Sequence, residues 1–155
     1  MPGMSQVNVA RVAGGDVAEV GELLARFFSE EGFELPDEGL EARLARYVSL
    51  THHAVFAARD GDRAVAAATV MATFGLEYGW VAELEDLYVV PDHRGTGVAR
   101  ALVEASARWA GDQGCAALLV TVTPQGQEAH DLMGFYRHLG FSDEGRRILE
   151  LSLRR

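Results

Sequence analysis

The thirteen residues Leu87-Tyr88-Val89-Val90-Pro91-Asp92-His93-Arg94-Gly95-Thr96-Gly97-Val98-Ala99 carry the chain from an apolar, β-favouring run into a helix through a turn that holds two glycines. Pro91 ends the strand, because it cannot donate to a ladder. Gly95 and Gly97 remove side chains where backbone must approach a ligand. The first N–H groups of the helix, with its dipole behind them, then form a site for an anion. Arg94 adds a permanent cation able to clamp phosphate through two parallel hydrogen bonds. No Lys-Ser or Lys-Thr follows the glycines and no third glycine completes a dinucleotide fingerprint, so neither of the commoner nucleotide loops is present.

Working outward, Trp80 to Val90 reads as the strand entering this loop. Val98, Ala101, Leu102, Ala105, Trp109 and Ala110 line one face of the helix leaving it, which Gly114 ends. Ala116 to Val122 returns as a strand. Upstream, Val7 to Val12 alternates as a short strand. Asp16 is placed to cap a helix striped by Val17, Val20, Leu23, Leu24, Phe27 and Phe28 and closed by Gly32. After Pro36, Leu40, Leu44 and Val48 mark a second helix. His53 to Arg59 and Arg63 to Thr73 flank Asp60-Gly61-Asp62 as a hairpin. Downstream, Gln127 to His138 reads as a last helix stopped by Gly140, and Arg147 to Leu153 as a closing strand. The order β, αα, βββ, α, β, α, β predicts an α/β fold with a mixed sheet and helices on both sides. With 155 residues, 48% of them hydrophobic, one domain over residues 1–155 is expected.

Composition removes several classes of function. A net charge of −9 makes a nucleic-acid backbone a poor partner and favours a cationic ligand. Apolar stretches such as Ala64 to Thr73 are too short and broken to span a membrane. Met1 to Gln6 and the residues after them lack the basic flank and apolar core of a secretory leader, so a cytoplasmic location is expected. Cys115, the only cysteine, excludes an internal disulfide and reads as a small buried residue. His52, His53, His93, His130 and His138 show no metal-ligand spacing, and no metal is expected.

The pattern Arg94-x-x-Gly97-x-Ala99 after Val90-Pro91 resembles the acetyl-CoA pyrophosphate loop of the GNAT acetyltransferase superfamily. A second signature, Phe135-Tyr136-Arg137-His138-Leu139-Gly140-Phe141, lies at the expected later position, and the order of elements agrees over nearly the whole chain. The resemblance implies a GNAT-like mixed, mostly antiparallel sheet flanked by helices on both faces. It also implies an acetyl-CoA-dependent N-acetyltransferase that needs no metal. The backbone of Leu87, Tyr88 and Val89 would pair with the pantetheine arm, and Arg94, Gly95, Thr96, Gly97, Val98 and Ala99 would hold the pyrophosphate. Tyr136 would protonate the departing thiolate. Such a role suits a phenol, which is neutral at pH 7 yet able to share a proton.

The acceptor must lose a proton before it attacks, because alkylamines are ammonium ions at neutral pH. The run Glu83-Leu84-Glu85-Asp86 supplies carboxylates, and on a regular strand Glu83 and Glu85 face one way and Asp86 the other. Leu84 to Val89 is similar to the matching strand of the spermidine/spermine acetyltransferase branch, which implies Glu85 as base and Asp86 as an acceptor contact. Glu30, Glu31, Glu34, Asp37 and Glu38 form an acidic patch placed to steer a cation, with Glu30 and Glu34 as the expected contacts; a solvated loop is the competing reading. One departure is Ala129, where many members of the superfamily carry a cofactor-anchoring Asn; Glu128 and His130 are the candidates to replace it. The stretch Thr121 to Gln127 also reads as longer than usual. The expected partner is a small-molecule amine, polyamine- or aminoglycoside-like. The alternatives are a protein or peptide N-acetyltransferase and a non-catalytic acetyl-CoA-binding module. A homodimer is a family habit for which the sequence fixes no interface.

Overall fold

A computed structural model describes residues 6–154; most of the Met1 to Gln6 segment, read above as no leader, lies outside the described residues. The chain divides into two compact units, Met1–Thr121 and Val122–Arg155.

The first unit carries a five-stranded sheet in the order β1-β2-β3-β4-β5. Strand β1 (Asn8–Arg11) precedes helix α1 (Val17–Glu31) and helix α2 (Leu40–Ser49). Strands β2 (His53–Asp60), β3 (Arg63–Gly75) and β4 (Gly79–Val89) form an antiparallel meander, and β1 lies antiparallel to β2. Helix α3 (Val98–Asp112) then crosses over to β5 (Leu118–Val120), which runs parallel to β4. The two-residue turn of the β2–β3 hairpin places Gly61 at φ 60°, a conformation that glycine adopts without strain.

Continuous burial from Ala64 to Val70 shows that β3 is covered on both faces, since neighbouring residues of a strand point to opposite sides. On one face, Trp109 and Ala110 of α3 pack with Ala54, Val70, Ala72 and Ala82, and Phe56, Trp80, Cys115 and Leu118 close the cluster. Cys115 packs as a small apolar residue, partly rather than fully buried. Helices α1 and α2 lie against β3 and β2, and α1 buries the expected stripe of Val17, Val20, Leu23 and Leu24. Gly32 ends α1 in the left-handed region at φ 72°. Asp16 stands at the N-cap position of α1 but does not cap it: its carboxylate accepts from the Ala13 N–H, closing the 3-10 turn Gly14–Asp16, and pairs with Arg59 at 3.1 Å. The Arg59 guanidinium, shared with Glu19 at 2.8 Å, outcompetes a helix amide because the bond is charge-assisted. Strand β5 stops at Val120, two residues short of expectation.

In the second unit the single expected helix is two: α4 (Pro124–His130) and α5 (Leu132–His138). Asp131 breaks them at φ 46°, and its carboxylate accepts from the Gly134 N–H, capping α5. A Cβ at Gly134 would sit 2.4 Å from the Asp131 carboxylate, so the glycine is what admits the cap. Pro124-Gln125-Gly126, read above as extra loop, is the first turn of α4, with Thr123 Oγ1 accepting from the Gly126 N–H at 3.0 Å. Arg147 to Leu153 is not a strand: it joins no ladder. Ile148, Leu149, Leu151 and Leu153 are 71%, 93%, 83% and 87% exposed. Alternation supplies the pattern of a strand but not the partner whose hydrogen bonds define one.

Candidate active site

The register of β4 on β3 shifts once. Leu84 lies opposite Val70 and Asp86 opposite Thr69, so Glu85 is an extra residue between them, a β-bulge. This overturns the regular alternation assumed from sequence. Glu83 faces Met71 and Asp86 faces Thr69; because Met71 and Thr69 are two apart, Glu83 and Asp86 project from the same face of the sheet. The bulge thus collects three carboxylates where a straight strand would have separated them.

Each carboxylate has its own support. Buried Thr69 donates Oγ1–H to Asp86 at 2.5 Å and accepts the Asp86 N–H at 3.2 Å. Glu83 accepts from the Thr121 hydroxyl at 3.2 Å. Burial raises the Asp86 carboxyl above its ordinary range, and the Thr69 bond opposes it. Glu85 keeps part of its side chain in solvent, but its carboxyl is crowded. Partial desolvation first, then the negative charges of Asp86 and Glu83, push it up to about 7, against the opposing pull of the nearby Tyr47 hydroxyl. A carboxyl poised there gains and loses a proton at neutral pH, which is what a general base requires.

Beyond the bulge β4 keeps β3 on one side, while its pairing with β5 covers only Ala82, Glu83 and Leu84. From Glu85 to Val89, including the expected Leu87, Tyr88 and Val89, the second edge has no strand among the described residues. Exposed backbone of that kind suits an amide-bearing chain added alongside. The Tyr88 side chain turns away to α1, where its ring lies 5.4 Å from Phe27 and its hydroxyl donates to Glu30 at 2.6 Å.

The strand leaves through a 3-10 turn, Pro91–His93, into the glycine loop. Gly95 and Gly97 stand at φ 73° and 86°, and a Cβ at either would meet nothing within 4 Å. Backbone conformation, not crowding, is what requires glycine there. Gly97 is the N-cap of α3, and the first main-chain hydrogen bond back to it comes from the Ala101 N–H at 3.1 Å. The N–H groups of Val98, Ala99 and Arg100 are therefore without helical partners. Thr96 is turned back, donating to the His93 carbonyl at 2.5 Å. His93 Nε2 lies 3.0 Å from Asp60, tying the loop to the β2–β3 turn. Arg94 donates Nε–H to the Val89 carbonyl and a terminal N–H to Glu30, both at 2.9 Å, with its guanidinium 5.7 Å from the centre of the Tyr88 ring. This donor set fits a pyrophosphate: free helix amides, two positive-φ glycines and an adjacent cation.

The sequence-derived residues thus fall into two groups in the first unit. Glu85 and Asp86 meet at the bulge; Arg94 to Ala99 form the loop. Glu30 joins the loop group through Arg94 and Tyr88, and its carboxyl lies below its usual range, chiefly through the Tyr88 hydroxyl. Glu34 is exposed in the connection between α1 and α2, and Glu38 pairs with Arg43 at 2.8 Å. Tyr136 belongs to the second unit, on α5, 6% exposed. Gly140 at φ 98° lets the chain reverse so that the Phe141 N–H reaches the Tyr136 carbonyl at 3.0 Å, and the Phe135 and Phe141 rings stand edge-on at 5.0 and 5.2 Å. Burial pushes the Tyr136 phenol up to about 12. Ala129, Glu128 and His130 are exposed on α4. Sequence reasoning missed Thr69, which holds Asp86, and Tyr47, which approaches Glu85. Tyr47 stands three residues after Leu44 and extends the α2 stripe, the one signal that pointed inward. No group of three or more His, Cys, Asp or Glu side chains among the described residues is placed to hold a metal ion, and no helix among them is long and apolar enough to cross a membrane.

A family model described as acetyltransferase (GNAT) family matches residues 17–141. Among solved structures the chain is similar to an aminoglycoside N-acetyltransferase, AAC(6')-Iy, in complex with CoA, at 22% identity, 99% coverage of each chain and a TM-score of 0.83. It is also similar to an integron cassette protein from the mobile metagenome of Cole Harbour Salt Marsh, at 26% identity over 95% of this chain and 91% of that one, TM-score 0.82. A third is the ribosomal-protein-alanine N-acetyltransferase of Brucella melitensis biovar Abortus 2308, 18% identical over 94% of this chain and 99% of that one, TM-score 0.73.

Proposed function

This chain belongs to the acetyltransferase (GNAT) family, an acetyl-CoA-dependent N-acetyltransferase, and from that premise we propose that its acceptor is the primary amine of a small polycation, polyamine- or aminoglycoside-like. The observation that carries the proposal is the bulge at Glu85, which sets a carboxyl near neutrality beside two others. Such a cluster attracts ammonium groups and takes a proton from one of them. The resemblance to aminoglycoside acetyltransferases supports the same class of acceptor.

In this reading acetyl-CoA supplies an activated acyl group as a thioester. The amides of Val98 and Ala99, with Gly95, Thr96 and Gly97, hold its pyrophosphate, and Arg94 lends a cation. The open edge of β4 from Leu87 to Val89 receives its amide-bearing arm. Asp86 and Glu83 bind the acceptor's ammonium groups, with Glu30 and Glu34 as outlying carboxylates. Glu85 accepts the proton that the amine must lose, and Tyr136 gives one to the departing sulfur. A phenol held near 12 stays protonated through the neutral range, so it has a proton to give; the same shift makes it a weaker acid. Tyr136→Phe is therefore expected to lower kcat by about 10²-fold, the low end of general-acid contributions, with little change in the KM for acetyl-CoA.

Thiol release from acetyl-CoA, measured against spermidine, diamines, neamine-type aminoglycosides, amino acids and short peptides, tests the acceptor class. Turnover confined to the polycations is the expected result. Turnover confined to peptides overturns the acceptor class in favour of a protein acetyltransferase. Acetyl-CoA binding without turnover of any acceptor overturns catalysis in favour of a binding module. A homodimer is part of the same proposal, supported by the four exposed aliphatic residues between Ile148 and Leu153; a monomeric mass by light scattering at micromolar concentration would remove it.

A further inference from the structure

Helix α2 brings Tyr47 to the bulge. Its ring stands edge-on to His53 at 4.7 Å, and its hydroxyl oxygen is buried without a hydrogen bond of full geometry. Within reach of that hydroxyl are the Glu85 carboxylate and the Thr69 hydroxyl. Thr69 is already engaged twice, by the carboxylate and the N–H of Asp86. The Thr69 hydroxyl keeps one lone pair, and the Glu85 carboxylate, being charged, is the stronger acceptor for the phenol. A buried hydroxyl that makes no hydrogen bond is costly, so a donor in this position asks for the charged partner beside it. The groups that set the charge state of Glu85 are Asp86 and Glu83 from its own strand and Tyr47 from α2. The first two disfavour the carboxylate, and Tyr47 alone favours it.

We propose that Tyr47 is a positioning residue for Glu85, donating its phenolic hydrogen to the carboxylate and so fixing the orientation and the ionisation of the base from a different element of the fold. The proposal deepens the functional reading above and rests on Glu85 as the base. The phenol itself does not exchange protons in the working range, because burial and the Glu85 charge raise it far above its ordinary value. It acts only as a fixed donor. Two acidic neighbours push the proton onto Glu85, and one hydroxyl from α2 favours the carboxylate.

Tyr47→Phe removes one oxygen and leaves the ring against His53. Carboxyl ¹³C resonances of glutamate-labelled protein, with the Glu85 signal assigned by its loss in Glu85→Gln, report the midpoint directly without any acceptor. In Tyr47→Phe the midpoint is expected to rise by about 0.5–1 unit, the equivalent of one ordinary hydrogen bond. With an acceptor that turns over, such as spermidine, the acidic limb of kcat/KM moves by the same amount. The loss is then about 3- to 10-fold at pH 6 and vanishes by pH 9. Incorporating 3-fluorotyrosine at position 47, a stronger donor, is expected to move the midpoint the other way. A midpoint unchanged in both variants overturns the role of Tyr47 and leaves Glu85 untouched. Full turnover by Glu85→Gln instead removes the base assignment, and any catalytic role for Tyr47 falls with it.

Discussion

The two halves of β4 share a backbone and little else. From Trp80 to Leu84 the strand pairs with β3 and, over Ala82 to Leu84, with β5 as well; Trp80 and Ala82 join the cluster covered by α3, and Leu84 is buried. From Glu85 to Val89 it is paired on one side only, and the extra residue reverses which side chains face which way: Asp86 and Tyr88 now point where Glu83 did, while Leu87 and Val89 lie opposite Ala68 and Ala66. The first half, Glu83 apart, is apolar and structural. The second spends a ladder position to gather charge and leave backbone open. Stability and chemistry are thus set in series along one strand, divided by a single residue.

The sharpest break between the halves is expected at Glu85. Replacing it with Gln should lower kcat/KM by about 10³-fold and abolish the acidic limb centred near pH 7. A pH–rate profile of the variant that still rises through 7 would assign that limb to another group. Next in size, Leu84→Ala on the enclosed side, where Leu84 is fully buried, should cost about 3 kcal/mol of stability by denaturant unfolding. The KM for acetyl-CoA of the folded fraction should stay as it was. A large KM change there would mean the two halves are coupled.

A smaller effect has a definite sign. Glu85 is raised in the folded state, so between the ordinary glutamate value and about 7 the folded protein binds more protons than the unfolded chain. Its contribution is therefore most favourable below that window and is lost as pH rises through 7. Raised Asp86 acts in the same direction. Glu85→Gln should accordingly raise Tm at pH 8 by roughly 2–4 °C, the effect of about 1 kcal/mol after solvent screening, and leave it unchanged near pH 4. Thermal melts at the two pH values decide it.

The parts legible in the sequence were those written in local pattern. The glycine loop, the α1 and α3 stripes and the hairpin each depend on residues a few positions apart, and each formed where the periodicity placed it. The bulge was not legible, because a glutamate at position 85 looks the same in a straight strand; only the register against β3 shows the extra residue. Asp131 was hidden in a helical stripe that continues across it, and its left-handed backbone depends on Gly134 making room. Arg147 to Leu153 had the rhythm of a strand, but a ladder needs a second chain segment that rhythm does not encode. For the site, residue types pointed to the loop and to the run of acids from Glu83 to Asp86, and the likeness to the spermidine/spermine acetyltransferase strand singled out Glu85 and Asp86. Tyr47 and Thr69 come from other elements, and only the packing of α2 on β2 and the pairing of β3 with β4 bring them into range.

The bulge has one more consequence, in how this protein tolerates changes of length. Leu84 opposite Val70 and Asp86 opposite Thr69 would be consecutive rungs of an ordinary ladder if residue 85 were missing. The fold has no use for that residue; omitting it heals the sheet without moving any neighbour to the wrong face. If Glu85 is the base proposed above, a one-codon deletion at this position is expected to keep the fold and lose turnover, separating what the chain needs for folding from what it needs for chemistry.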